Sequence, residues 1–326
     1  MRAVTADRFQ PEDPAAAVVI RDVPDEAPRP GWVRVAVQCA ALNHHDVWSL
    51  RGVGLREGAL PMVLGTDATG TLPDGTPVIV HGVINDPAWR GDDTLDPGRS
   101  LLSERYPGTL AEAVWVPAGN VVPRHEDLAP QHAACLPTSY LTAYRLLFTA
   151  AQVRPGQTVL VQGAGGGVST ACILLGRAAG LRVWVTSRTE EGRRRALELG
   201  AHDAFESGAR LPRQVDAVIE TVGKATWGHS LRSLLPGGVV AVAGSTTGPD
   251  ADAELNRVFF RSIRVVGATM GTRDELALLQ EMLLATGVRP LLDRMVAMEE
   301  APAALADMAR GVVHGKMVID VAGSVR

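Results

Sequence analysis

The sequence predicts an α/β protein in two parts: a doubly wound parallel sheet with helices on both faces, and a mostly-β part made of short strands. Three features carry that expectation. Strands and helices alternate from about Pro155, a glycine cluster joins a buried strand to a helix, and residues 1–121 are punctuated throughout by Gly and Pro. A length of 326 residues also exceeds the usual single core.

In the first part, Trp32–Val37 and Val78–His81 alternate apolar and polar residues as half-buried strands do, and Pro-Gly and Asp-Gly pairs mark turns. Asp86–Ser103 is polar and aperiodic, which predicts a long surface loop. In the second part Thr158–Gln162 (TVLVQ) is a continuous apolar run, as expected of a strand covered on both faces. A glycine cluster, an apolar helix through Ala179, a strand at Arg182–Ser187 and a helix at Glu190–Leu199 follow. Val215–Thr221, Gly238–Gly244 and Ile263–Gly267 continue as strands, with a helix at Ala225–Leu235. This alternation implies right-handed crossovers and an open sheet. The tail, a helix at Arg273–Leu284 and a strand at Met317–Val321, is too short for a domain and is expected to return to the first part.

Composition excludes several classes of function. With 46% hydrophobic and 21% charged residues and a net charge of −4, the chain has neither a nucleic-acid footprint nor a basic membrane-seeking face. Cys39, Cys135 and Cys172 are far apart in apolar surroundings and read as buried thiols. The N-terminus has no apolar signal core, so a cytoplasmic location is the default expectation.

The loop Gly163-Ala164-Gly165-Gly166-Gly167-Val168-Ser169 opens a helix directly after a buried strand. That geometry aims backbone N–H groups at a diphosphate, and glycine permits the close approach. The second strand ends Thr186-Ser187-Arg188-Thr189, with no acid before Glu190. A free ribose 2′-hydroxyl calls for a carboxylate there, whereas a 2′-phosphate calls for donors such as Ser187 and Arg188. NADPH is therefore favoured over NADH. Arg188 alternatively is a solvated turn residue. Arg193–Arg195 read as an exposed helix face from which Arg193 reaches the phosphate at most.

At this point the chain resembles the medium-chain dehydrogenase/reductase superfamily nearly end to end. The similarity rests on MRAVTADRF, Asn43-His44-His45-Asp46-Val47-Trp48, Leu64–Gly70 (LGTDATG), Gly108–Glu112 (GTLAE), Leu136–Tyr144 (LPTSYLTAY), the helix Ile173–Gly180, Leu199-Gly200-Ala201, Leu235–Gly238 and Gly315-Lys316. The resemblance implies a GroES-like mostly-β domain over 1–121, completed by 272–326, and a Rossmann domain over 122–271. NADPH and the acceptor are expected in the cleft between them. It further implies nucleotide contacts from Thr221-Val222-Gly223, Gly244-Ser245, Met270-Gly271 and Thr142. Lys316 is expected on the phosphate side of the cleft, or else as a solvated lysine. Two departures stand out. The loop's three glycine positions hold Ala164, Gly166 and Ser169, and a lysine common in NADPH-linked relatives is replaced by Gly192.

Zinc-dependent members carry Cys and His where this chain has Asn43 and Thr66, and no cysteine lies between Cys39 and Cys135 to form a structural zinc lobe. A substitute site from His44, His45, Asp67 and His81 is conceivable. Adjacent histidines on a strand would point to opposite faces, leaving only one for the cleft. No metal is therefore expected, and the chemistry turns to acceptors needing less help than a simple alcohol, namely quinones and activated enones. Asn43, His44, His45 and Thr142 are the candidate hydrogen-bond donors, with a histidine also able to supply a proton. The His pair alternatively is one core and one surface residue. Trp48 is either an apolar wall for a flat substrate or core packing. The competing functions are an alcohol/aldehyde dehydrogenase and a non-catalytic, nucleotide-binding redox sensor. The resemblance also implies a homodimer through the edge of the nucleotide-binding sheet.

Overall fold

A computed structural model describes residues 1–25 and 30–323. The chain forms two compact units, Met1–Ser139 with Met270–Arg326, and Tyr140–Thr269. The boundaries thus fall at 139/140 and 269/270, where sequence placed them at about 121/122 and 271/272. Residues 122–139 side with the first unit because Val121–Pro123 pairs with Pro77–Val80 and because Thr138 and Ser139 bond to Asp67 and Asn43.

The first unit is the GroES-like, mostly-β one. Its backbone is the ten-residue strand Trp32–Ala41, long enough to pair with Ala113–Pro117, Asp67–Thr71 and the near-C-terminal strand Lys316–Asp320. A smaller antiparallel sheet joins Arg2–Ala6 to Val18–Asp22 and Met62–Val63. One apolar core containing Val4, Leu42, Leu50, Leu64, Leu110, Leu305 and Ile319 lies beneath both sheets.

Two local expectations are corrected here. His44–Leu50 is a helix, not a strand, because the buried Asp46 accepts hydrogen bonds from the Asn43 and Gly65 N–H groups and so caps the turn. The supposed loop Asp86–Ser103 contains a 3-10 turn at Asp93–Leu95 and a strand, Ser100–Leu101, paired with Val83–Ile84. It is organised around Asp96, whose carboxylate accepts from the Asp86 and Gly98 N–H groups.

The second unit is a Rossmann sheet, parallel throughout. Its spatial order is Asp203–Glu206, Arg182–Ser187, Thr158–Gln162, Val215–Glu220, Leu234–Val242, Arg264–Gly267. Numbered along the chain that order is 3-2-1-4-5-6, which places the switch point between Thr158–Gln162 and Val215–Glu220. All five residues of Thr158–Gln162 are buried. The helix Gly167–Ala178 lies close to the sheet because Gly176 has no side chain; a Cβ there would come within 2.8 Å of Val183 Cγ2. No described helix is long and apolar enough to cross a membrane. All three cysteines are buried and free, and burial pushes the Cys39 and Cys135 thiols up to about 12.

Candidate functional site

Asn43 lies two residues past the central strand Trp32–Ala41 of the first unit and caps the helix His44–Leu50. Its side chain belongs to a closed ring of hydrogen bonds. Asn43 Nδ2 donates to Thr66 Oγ1 at 3.2 Å, Thr66 lies 3.0 Å from Thr138 Oγ1, and Thr138 donates to Asp67 Oδ1 at 2.5 Å. With the Thr138 proton committed to Asp67, the one Thr66 proton is shared between Thr138 and Asp67 Oδ1, which lies 3.3 Å away. Lys316 closes the ring, donating to Asn43 Oδ1 at 2.6 Å and reaching Asp67 Oδ2 at 3.4 Å. Its ammonium also donates to the Leu42 carbonyl at 2.7 Å and approaches Ser139 Oγ at 3.4 Å. Thr138 is half-buried, while Asn43, Thr66, Asp67, Ser139 and Lys316 are buried.

This arrangement corrects two assignments. Lys316 is 2% exposed, so it is neither a solvated lysine nor free to grip a phosphate; its protons are shared among four protein oxygens. Asn43 is not an unengaged donor, since its amide nitrogen serves Thr66 and its oxygen accepts from Lys316 and Ser139. It positions the ring.

The two histidines part company. His44 is exposed, yet desolvation, followed by the charges of Lys316 and Arg51, lowers its pKa and favours the neutral ring. His45 is half-buried with Nε2 3.2 Å from Glu104 Oε1. Burial opposes its charge, but the Glu104 hydrogen bond and the carboxylates of Asp46, Glu104 and Asp67 outweigh that and raise its pKa. Trp48 is half-buried, and the Arg51 guanidinium lies 5.4 Å from its ring centroid. That stacking gives the ring a partner within its own helix turn.

In the second unit the glycine loop follows the central strand. Gly163 has φ +84, and Gly166 caps the helix Gly167–Ala178 with open space where a Cβ would stand. Ala164 and Gly165 lie between them, Val168 is in the first helical turn, and Ser169 is buried. A left-handed glycine turning into a side-chain-free helix N-terminus fits a diphosphate. Thr142 is buried in the helix Leu141–Tyr144, which packs on Gly167–Ala178.

At the end of the second strand Arg193 is half-buried and donates to the Ser187 carbonyl at 3.0 Å, while Arg188 is exposed. Arg194 and Arg195 instead pair with Glu191 on the surface. Gly192 is explained by contact, because a Cβ there would lie 2.3 Å from Ser187 Oγ. The neighbouring strand places the exposed Glu206 in register with Ser187.

Across the switch point, Glu220 is fully buried and unmentioned by the sequence reasoning. It accepts from the Val222 and Gly223 N–H groups and from the Thr226 and Ser230 hydroxyls. Gln162 joins the same network, donating to Ser230 and accepting from Thr186. The carboxyl ends of three strands are thereby tied together, and the turn Thr221–Gly223 is held against Gly244-Ser245; a Cβ on Gly223 would come within 2.8 Å of Ser245 Cα. Met270 and Gly271 belong to the first unit, where the Gly271 carbonyl lies 2.8 Å from His81 Nε2.

Comparison with known proteins agrees with this anatomy. Residues 29–126 match the alcohol dehydrogenase GroES-like domain and residues 167–285 the zinc-binding dehydrogenase family. Quinone oxidoreductase of Mus musculus is 28% identical over 336 residues, covering 98% of this chain and 97% of that protein. Zinc-type alcohol dehydrogenase-like protein YogA of Leptosphaeria maculans is 28% identical, covering 90% and 92%. A crystal structure of an NAD-dependent alcohol dehydrogenase superposes with a TM-score of 0.89 at 29% identity, covering 98% and 100%. The chain belongs to the medium-chain dehydrogenase/reductase superfamily. It is an oxidoreductase of that superfamily.

Zinc, named in the family description, does not suit the donors present. The two positions at which the sequence resemblance implies zinc ligands hold Asn43 and Thr66. His45 is drawn to Glu104, His81 to Gly271 and Asp67 to Lys316, so the substitute ligands do not converge. Among the described residues no group of three or more His, Cys, Asp or Glu is gathered to hold a metal.

Proposed function

We propose that the chain transfers a hydride from NADPH to a quinone or an activated enone or carbonyl, without zinc. The observation that carries this reading is the Lys316–Asn43 contact of 2.6 Å, which puts an ammonium amid the residues at the zinc-ligand positions. An alcohol's alkoxide then lacks its usual Lewis acid, whereas a conjugated acceptor disperses its developing charge and needs only hydrogen-bond donors. The similarity to quinone oxidoreductases over almost the full chain supports the same acceptor class.

When bound, the coenzyme supplies the hydride. The Gly163–Ser169 backbone would hold its diphosphate, and Ser187, Arg188 and Arg193 its 2′-phosphate. Thr142, Thr221–Gly223, Gly244, Ser245, Met270 and Gly271 are proposed as further contacts. The exposed His44 beside the helix start is the donor we assign to the acceptor oxygen; Thr138, the most accessible hydroxyl of the polar ring, would join it only by turning its one proton away from Asp67. Two copies are proposed to pair along the edge strand Arg264–Gly267.

The test is loss of NADPH absorbance with a panel of quinones, enones and aldehydes, repeated with NADH. Turnover of quinones or enones with NADPH is expected. Tight NADPH binding without turnover of any acceptor would instead indicate a nucleotide sensor. A second reading, NAD-dependent alcohol oxidation, is favoured by the NAD-dependent alcohol dehydrogenase neighbour. Alcohol-driven NAD reduction by metal-loaded protein would establish it.

A further inference from the structure

We infer that a cavity in the second unit, between loop 207–214 and the helix Trp227–Ser233, binds a small phosphate monoester at a site separate from the glycine loop. The loop leads from the strand Asp203–Glu206 to the strand Val215–Glu220. The cavity measures about 460 Å³, room for an organic group as well as an ion. Arg210, Arg213 and Arg232 line it, and among the described residues its lining contains no carboxylate. All three arginines are exposed.

Most of their donors are uncommitted. Arg210 pairs with no group among the described residues. Arg213 gives one N–H to Thr158 Oγ1 at 3.0 Å and stacks on Trp184, 5.6 Å from its ring centroid. Arg232 reaches Glu254 at 3.4 Å, but that carboxylate is held more closely by Arg257 at 2.7 Å. Carbonyls of the same lining are already engaged: Ala209 accepts from His229 at 2.9 Å, His229 from Ser233 at 2.8 Å, and Arg232 from Gln214 at 3.4 Å. What faces a ligand is thus dominated by donors and positive charge, which selects an oxyanion. A phosphate monoester carries about two negative charges near neutral pH, against one for a monocarboxylate, and so suits three guanidinium groups better. The inner wall is also preformed. His229 is buried, and its Nδ1 lies 2.9 Å from Gln162 Nε2, which can only donate. Nδ1 therefore accepts, leaving the Nε2 proton for the Ala209 carbonyl. Gln162 is fixed in turn by Thr186 and Ser230. A wall already ordered lowers the cost of binding.

The test titrates the full chain with phenyl phosphate, and with benzoate and inorganic phosphate for comparison, by calorimetry and by NMR of the His229 ring nitrogens. Wild type should bind phenyl phosphate about tenfold or more tighter than either comparison, because only the ester offers both the charge and an organic group. The His229 signals should move as the site fills. Arg210→Ala/Arg232→Ala should weaken that binding about tenfold or more, since charge-assisted hydrogen bonds are lost. Both residues are exposed, so the double variant should fold as wild type does. Arg188→Ala, at the end of the strand Arg182–Ser187, should leave phenyl phosphate binding unchanged. Binding that the double variant retains in full, or that Arg188→Ala removes, would move the ligand out of this cavity and overturn the inference. No binding, equal affinity for benzoate or inorganic phosphate, or saturation without movement of the His229 signals would do so equally.

Discussion

The Lys316 ammonium and the Asn43 amide oxygen are 2.6 Å apart although 273 residues separate them in the chain. The contact ties the near-C-terminal strand Lys316–Asp320 to the helix that begins at His44, and it recruits Asp67 as counter-ion. A buried ion pair contributes little beyond an apolar equivalent, but breaking one partner leaves a stranded charge. Asp67→Asn should therefore cost about 3 kcal/mol in equilibrium denaturation, toward the low end for such losses because the pair is long. Asp67→Asn with Lys316→Met should recover most of it. Equal losses in the single and double variants would mean that the charge pairing is not what Asp67 provides.

His45 and Glu104 form a pH-dependent latch between the helix His44–Leu50 and the segment Ser100–Tyr106. The raised pKa of His45 means its contribution to stability is fully present below its ordinary value of about 6.5 and is lost as pH rises through the folded value. Burial works against the Glu104 charge, but its hydrogen bonds from His45 and the Leu101 N–H prevail and lower its pKa. Its contribution holds above the ordinary carboxylate range and fades as pH falls through the lowered value. The latch is thus strongest in mildly acidic solution. Glu104→Gln should lower the His45 pKa, since its hydrogen-bond partner and one of three nearby carboxylate charges are lost while burial stays. An NMR titration of the His45 ring that shows no such drop rejects the latch.

How far these features were legible in the sequence follows from the range of the forces involved. Thr158–Gln162 and Arg182–Ser187 were readable to the residue because strands covered on both faces carry continuous apolar centres, Val159–Val161 and Val183–Val185, closed by polar residues. The helix His44–Leu50 was not, since seven residues carry too little periodicity and its start depends on Asp46 meeting Gly65 from a distant loop. Asp203–Glu206 is four residues long with a charged residue at each end, and only its neighbour in the sheet makes it a strand. Lys316 misled because a lysine after a glycine turn looks solvated, and nothing local announces a carboxylate 249 positions away. Glu220 did leave a signal, an acid closing the apolar run Val215–Glu220, where burial demands several donors.

Glu220 allows a direct test of that demand. Its carboxylate accepts from two backbone and two side-chain donors, and Glu220→Gln would turn an amide nitrogen toward groups that need an acceptor. We expect a loss of about 2–4 kcal/mol in stability and weaker coenzyme binding, because Val222 and Gly223 are held by the same oxygen. Stability unchanged within about 0.5 kcal/mol would remove Glu220 from that role.

Coenzyme choice should reside at the end of the strand Arg182–Ser187. Arg188→Ala and Arg193→Ala are each expected to raise KM for NADPH about tenfold while leaving KM for NADH nearly unchanged, the pattern of a lost charge-assisted contact to the 2′-phosphate. Gly192→Ala should act in the same direction without touching a charge, since its Cβ would displace Ser187. Parallel increases for both coenzymes would place these residues outside the selection.

The edge of the second unit predicts its own partner. Leu255, Phe259 and Phe260 are 70%, 60% and 80% exposed, and Val265 on the adjoining strand Arg264–Gly267 is 47% exposed. Among the described residues that strand pairs on one side only, with Leu234–Val242. An unpaired strand edge beside clustered aromatics is a surface that soluble proteins ordinarily cover. Two copies related by a twofold axis would satisfy both needs at once, extending the sheet and burying four phenylalanines. At about 1.5–3 kcal/mol for each buried phenylalanine, the gross gain is on the order of 10 kcal/mol, enough to offset much of the cost of association. Sedimentation velocity should therefore find a dimer for wild type and a folded monomer for Phe259→Asp/Phe260→Asp, with the unpaired edge retained. A wild-type monomer at every concentration tested would leave those side chains without their proposed cover.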